Sequence, residues 1–435
     1  MPWREVPRPL RMQRVAMVAP VEALRDTLAR VAAAGVVELD AVTGAEAPLP
    51  AGEAQLEELA RGAVVRGRVG ALAGWAPAEA VPGLAGRLAE VGGAVVPLPH
   101  PRGVDAPTLL RDAGLHRSLT PLVETYGTVP YVDVDPTAAA AAAYVLMFGM
   151  MFGDAGHGAL LLLLAAALYA RWPRRLARLR RAWPFVAGAG LTSMVFGLLY
   201  GECFGPSGIV PVLWLEPLER PVPLLLAALG VGAALLAGAY LLGTVNRWRE
   251  GGLPLALYAP SGIAGAALFL GLGAAVGGWY LHLTWPVAAG GLVAAAGLAL
   301  AFAGFLAEAG GGAAGVGQAS VELFDAVARL GSNVVSFVRL TAFGLTHAAL
   351  GAVVWQGTAG LWRRGGLLVA AAVLVAAVGN ALACSLEALV AGVQALRLEY
   401  YEQFSRVFQR QGRPFRPWRL AIKEEEEEEL PCGSG

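Results

Sequence analysis

The chain has 435 residues, 56% of them hydrophobic and 15% charged, with a mean hydropathy of +0.57. That balance excludes an ordinary soluble globular chain and describes a polytopic membrane protein with a smaller soluble part. Lys+Arg and Asp+Glu both number 33, so no basic excess points to nucleic acid, and Cys203, Cys384 and Cys432 have neither disulfide nor metal-ligand spacing.

The start, MPWREVPRPLRMQRV, holds no apolar core, so no cleaved signal peptide is expected and the N-terminus is placed in the cytoplasm. Residues 1–130 read as a soluble α/β domain. RMQRVAMVAP is a predicted strand, VEALRDTLARVAAAG a helix ending at Gly35, and VVELD a second strand. AQLEELA reads as a short helix, VVRGRVGALAGWAP as a strand pair or a strand with a glycine bulge, and AEAVPGLAGRLAEVGGAVVPL as helix then strand. Two strand–helix–strand units of this size predict a split βαβ sandwich. His100 and His116 stand among prolines and glycines and read as loop histidines.

From Ala138 the character changes. Two apolar segments of roughly 15 and 12 residues flank GDAGHG and predict a tight helical hairpin or spans extended by their flanks. Further spans are expected at Pro184–Cys203, Val222–Val245, Tyr258–Leu281 and Trp285–Ala307, and two longer ones start near Gln318 and Leu367, which makes about eight transmembrane helices in a domain of residues 131–420. Arginines cluster in the loop with Arg171, Arg174, Arg175, Arg178, Arg180 and Arg181, at Arg247 and Arg249, and beyond Arg406. By the positive-inside rule these regions are cytoplasmic, as are both termini, while Arg363 and Arg364 fall on the other side. Residues 421–435 read as an acidic, disordered tail.

The Gln318–Gln356 segment carries Arg339 well inside an apolar run. A mid-membrane arginine costs roughly 3 kcal/mol on insertion scales, so such residues face a partner or a watery path. Steps of seven, close to two helical turns, connect Asp325, Ser332, Arg339 and Thr346 into one stripe. The last segment repeats the design with Asn380, Glu387 and Gln394, and Arg397 lies one turn further on. Two polar stripes, each with an arginine, predict a path for ions rather than interhelical hydrogen bonds alone.

Four stretches carry a family resemblance: TPLVETYGTVPYVDVDPT, FGMMFGDAGHG, SNVVSFVRLTAFGLTHAAL and LEALVAGVQALRLEYYEQFSRVF. In this order, over roughly residues 118–418, they resemble the V/A-type rotary ATPase subunit a, also called subunit I. MQRVAMV and GRVGALAGWAP resemble the edges of that family's cytoplasmic domain. The resemblance implies a stator subunit whose two ion half-channels flank a rotating proteolipid c-ring, coupling proton or sodium movement to ATP hydrolysis or synthesis on other subunits. It implies partners in the peripheral and central stalks and the lipid bilayer, a prokaryotic plasma-membrane location, and no catalytic residue, cofactor or metal in this chain. Matched residue by residue, Arg339 takes the position of the family's essential arginine and His347 that of the histidine eight positions on. Arg397 takes the arginine of the LRL motif and Glu387 the acidic residue ten positions before it. Glu387 lies roughly 15 Å along a helix from Arg397, which suits a relay group rather than a direct partner. Gln394 stands where the family commonly has histidine, so a titrating step there is lost and the ion identity is left open. The cytoplasmic domain lacks the family's long coiled-coil insertions. A secondary transporter would show internal repeats that are not found, and an intramembrane aspartyl protease at Asp154 would need a facing carboxylate.

Overall fold

A computed structural model describes residues 9–40, 53–101, 104–110, 116–171, 179–408 and 411–419. The acidic tail from 421 and the arginines between 172 and 178 lie outside the described residues. The chain divides into two compact units.

The smaller unit, within Arg8–Arg111, Thr128–Tyr131 and the residues from Gly412, is α/β. Its elements are β1 (Met12–Pro20), α1 (Leu24–Ala34), β2 (Glu38–Leu39), α2 (Glu53–Arg61), β3 (Val64–Arg66), β4 (Val69–Pro77), α3 (Val81–Ala89) and β5 (Ala94–Pro97). The sheet runs β2-β4-β1-β5, with β3 paired to β4, and every pairing is antiparallel. This is the order of a split βαβ sandwich with α2 and a short hairpin strand inserted. Along β1, Val15, Met17 and Ala19 alternate inward and meet Leu28 and Val31 of α1, Leu72 of β4 and Leu88 of α3. Gly35 ends α1 in the left-handed region at φ 57°, donating to the carbonyl of Val31. The stretch VVRGRVGALAGWAP is a strand pair turning at Gly67, also at positive φ. The C-terminal segment belongs to this unit: Trp418 N–H donates to Val37 O at 2.7 Å, and Arg413 pairs with Glu38 at 3.2 Å.

The larger unit is helical: α4 (His116–Glu124), α5 (Thr137–Met151), α6 (Ala155–Tyr169), α7 (Trp183–Tyr200), α8 (Pro221–Tyr258), α9 (Ile263–Tyr280), α10 (Thr284–Glu308), α11 (Gly312–Ser336), α12 (Val338–Arg364), α13 (Leu368–Leu398), a π-helical turn (Glu399–Phe404) and α14 (Ser405–Val407). His116, expected in a loop, opens α4. Among the described residues six stretches are long and apolar enough to cross a membrane, with α11 and α12 counted as one, and α5 and α6 are shorter apolar helices. The protein is therefore an integral membrane protein with a small α/β region.

Small residues bring the helix pairs α6–α7 and α9–α10 into backbone contact. A Cβ on Gly158 of α6 would stand 2.6 Å from Met194 N of α7, and one on Gly290 of α10 would stand 2.6 Å from Ala275 N of α9. Without side chains between them the backbones approach closely, as lipid-embedded helices require. The long α8 kinks at Gly251 and Gly252 ahead of Pro254. Beside that kink Arg247 and Glu250 pair at 2.6 Å. Asp133, at the bend ahead of α5, is fully buried near them, with no N–H donor to its carboxylate among the described residues.

The segment from Gln318 to Gln356, expected as one helix, is two. The break falls at Phe337, where no proline or glycine predicts it. Phe337 is fully buried against Gly232 of α8, where a Cβ would collide with its ring. Burying that ring holds the bend.

Candidate functional site

The two arginine-bearing helices gather two polar clusters. The first forms where α12 begins. Arg339, second residue of α12, sits just past the Phe337 break, and its Nη1 lies 3.6 Å from Glu402 Oε1. The Arg339 side chain is 31% exposed and that of Glu402 6%. Glu402 comes from the π-helical turn, a wide turn that changes which residues face inward. Ser336 and Arg397 lie near Glu402 and favour its charged form. Arg339 Nη1 and Glu402 Oε2 are buried without a hydrogen bond among the described residues. The pair thus holds charge against charge while leaving bonding capacity for another group. One turn before Glu402, Glu399 is 1% exposed and accepts from Gln403 at 3.0 Å.

The second cluster lies about 12 Å further along α12, eight residues at 1.5 Å each. His347 Nδ1 meets the Glu387 carboxylate of α13. Phe152 packs 4.8 Å from the His347 ring, and the ring of His157 stands edge-on at 5.6 Å. Asp154 caps α6, accepting from His157 N at 2.8 Å, from Phe204 N at 3.1 Å and from Gly205 N at 2.9 Å. Three backbone donors hold a buried carboxylate in place. His157 is equally buried, and neither ring nitrogen makes a hydrogen bond of normal geometry among the described residues. Its Nδ1 lies 3.6 Å from Asp154 Oδ1. Glu202, in the loop after α7, completes the group. Burial pushes its carboxyl up to about 7, His347 pulls it down, and Asp154 and Glu387 add to the rise. The ligand-type atoms of Asp154, His157 and His347 all lie within 4.8 Å of one another, a spacing open to a cation.

The expected stripe residues are distributed differently from the two clusters. Asp325 accepts from Arg329 Nε at 2.8 Å on the same exposed face, and Ser332 and Thr346 are exposed, Thr346 donating to Ala342 O at 2.9 Å. Arg397 is exposed, while Gln394 is half-buried with its Oε1 unbonded among the described residues. Asn380 donates to Ala376 O at 2.8 Å and comes beside His157. It lines an otherwise apolar groove of about 510 Å³ with Val354, Trp355 and Val373.

Sequence reasoning missed Asp154, His157, Glu202, Glu399 and Glu402 as members of these clusters. A signal existed for the first two: two ionisable groups in some thirty apolar residues are functional candidates by default. Their reading as a turn hid them.

The V-type ATPase 116 kDa subunit family matches residues 69–210. Similar proteins include the A-type ATP synthase subunit I of Aeropyrum pernix, 30% identical over 73% of this chain and 51% of that protein. The Thermococcus kodakarensis A-type ATP synthase subunit I is 26% identical over 80% of this chain and 54% of its own length. That of Halobacterium salinarum is 29% identical over 72% and 52%. The chain spans about half the length of the curated relatives it matches.

Proposed function

The chain belongs to the V-type ATPase 116 kDa subunit family, and we propose that it is the stator subunit of a V/A-type rotary ATPase, carrying protons or sodium past a ring of proteolipid subunits. One observation carries this reading. Within helices of otherwise apolar character, α12 holds two separate polar clusters, one around the Arg339–Glu402 pair and one around the His347–Glu387 pair.

A carboxylate on a ring subunit must be neutral to enter lipid, because an isolated charge there is too costly. Beside an arginine its ionised form is favoured, with the pKa lowered by roughly 1–3 units at contact distance. Arg339 suits that task, since a guanidinium keeps its charge where an ammonium would not. Its ion pair with Glu402, at 3.6 Å and without a hydrogen bond on Nη1, is loose enough for an incoming carboxylate to compete. His347, Glu387 and Asp154 then serve as relay groups of one half-channel, handing the ion between water and the ring. The other half-channel opens on the Glu402 side. On this reading the cytoplasmic unit engages the stalks, with residues 1–130 as its expected extent, and both termini are cytoplasmic.

The test compares Arg339→Lys and Arg397→Lys in the assembled complex, reconstituted in vesicles at matched subunit levels. Arg339→Lys abolishes ATP-driven ion uptake, and Arg397→Lys retains part of it, because only Arg339 faces a buried counter-charge at contact range. Equal uptake by the two variants would overturn the assignment of Arg339 as the barrier charge.

A further inference from the structure

We propose that Asp154, His157 and His347 form a binding site for a divalent transition-metal ion of the zinc class, and that filling it blocks the His347–Glu387 path. The sequence reading expected no metal in this chain, and the blocking half of the proposal rests on the ion-path reading above. The binding half does not.

Three observations point to the ligand. The first is donor geometry. Tetrahedral ligands at 2.0–2.1 Å from zinc stand roughly 3.3 Å apart, and His157 Nδ1 already lies 3.6 Å from Asp154 Oδ1. The His347 ring is across from them, with all the ligand atoms inside 4.8 Å, so movement of about 1 Å closes the set. The second is the state of His157. Its side chain is 1% exposed, neither buried ring nitrogen has a hydrogen bond of normal geometry among the described residues, and the Asn380 side chain is the polar group beside it. Leaving such a group unsatisfied costs about 1–3 kcal/mol, and a metal removes that cost. The third is the surroundings of His347. Its Nδ1 is held by Glu387, the carboxylate–histidine arrangement that orients a ring so that Nε2 can take a metal. The charged groups acting on His347 are Glu387, Asp154 and Glu202, all acidic, so the site carries an excess of negative charge that a divalent cation offsets.

The donor set selects the metal class. Two imidazoles and a carboxylate suit zinc and its neighbours, whereas magnesium and calcium require oxygen ligands in larger number. Three protein ligands leave a fourth position for water. A metal there ties up His347 and places a fixed double charge in the path, so protons or sodium cannot pass. Cys203 and Cys384 stand within electrostatic reach of Asp154, which makes thiol binding the rival that a test must exclude.

The test uses the full chain purified in detergent, titrated calorimetrically with zinc and with magnesium. Zinc binds saturably at one equivalent and magnesium does not. X-ray absorption of the zinc-loaded wild type shows nitrogen and oxygen ligands, with two imidazoles and no sulfur; this readout needs no variant to fold. His157→Ala removes the binding, Glu387→Gln weakens it by roughly tenfold or more, and the Cys203→Ser/Cys384→Ser chain binds as wild type does. Sulfur in the first coordination shell, or zinc affinity unchanged in a folded His157→Ala chain, would overturn the site. In the reconstituted complex, zinc stops ion uptake in the wild type at the concentration that fills the site. Full uptake with the site filled would sink the blocking step and the placement of His347 on the path, while the metal site itself would stand on the binding data.

Discussion

Replacing Asp133 by asparagine changes stability in a pH-dependent way whose size follows from the structure. Asp133 is fully buried. Burial, and Glu250 after it, push its carboxyl from 3.8 up to about 7, while Arg247 and Arg249 oppose the shift. The folded state therefore holds a proton that the unfolded chain releases near 3.8. Below that pH both states are protonated and the group contributes nothing to the pH slope. Between about 4 and 7 the folded state binds more protons, so stability falls as pH rises. Above 7 the carboxylate is ionised in both states and the full cost stands, about 4 kcal/mol for a shift of about 3 units at 1.36 kcal/mol each. Asparagine carries no such cost, and its own buried amide adds an offset that does not depend on pH. Thermal melting of the purified wild type and Asp133→Asn chains, at one scan rate from pH 4 to 8, reads the difference. The variant gains on the wild type steadily up to pH 7, by on the order of 5 °C in all, and the gap is then flat. A gap that stays constant from pH 4 to 8 would refute the reasoning, because it would show that Asp133 does not change protonation between the folded and unfolded states.

Glu387→Gln keeps a hydrogen-bonding partner for His347 but loses the exchangeable proton, so the complex assembles normally and transports ions more slowly. Uptake equal to wild type across pH 5 to 9 would remove Glu387 from the path. Single cysteines placed beside Arg363 and beside Arg416, in a chain lacking its native cysteines, react with an impermeant reagent from opposite sides of the membrane. Reaction of both from one side would contradict the loop charge pattern.

Much of the architecture is legible because its causes are local. The alternation of Val15, Met17 and Ala19 and the glycine stop at Gly35 are written into short windows, and so are the long apolar runs that become α7 to α10. The clusters are less legible because their causes are not local. His347 and Glu387 stand forty residues apart in sequence, and the family resemblance named each of them without pairing them. The bend at Phe337 comes from a pocket over Gly232 on another helix, which no window around residue 337 reveals. The approach of Glu402 to Arg339 depends on the π-helical turn, whose extra residue shifts the facing side chains out of the 3.6-residue period on which stripe counting relies. Asp154 was misread for the opposite reason. It was read as a residue of the GDAGHG turn, where it caps α6, and that local explanation concealed its place beside His157 and His347.

The glycine contacts between α6 and α7 and between α9 and α10 have a mechanical consequence. A layer of side chains between two helices is compliant, since rotamers can shift to absorb a load. Where Gly158 meets Met194 and Gly290 meets Ala275 through backbone atoms, that layer is missing, and force on one helix passes directly to the other. These pairs behave as stiff double struts. By contrast α12 and α13 touch at His347 and Glu387 through long side chains, which can shift under load. On the stator proposal, the α6–α7 and α9–α10 pairs would carry load stiffly, while the side-chain contact between α12 and α13 would supply the give.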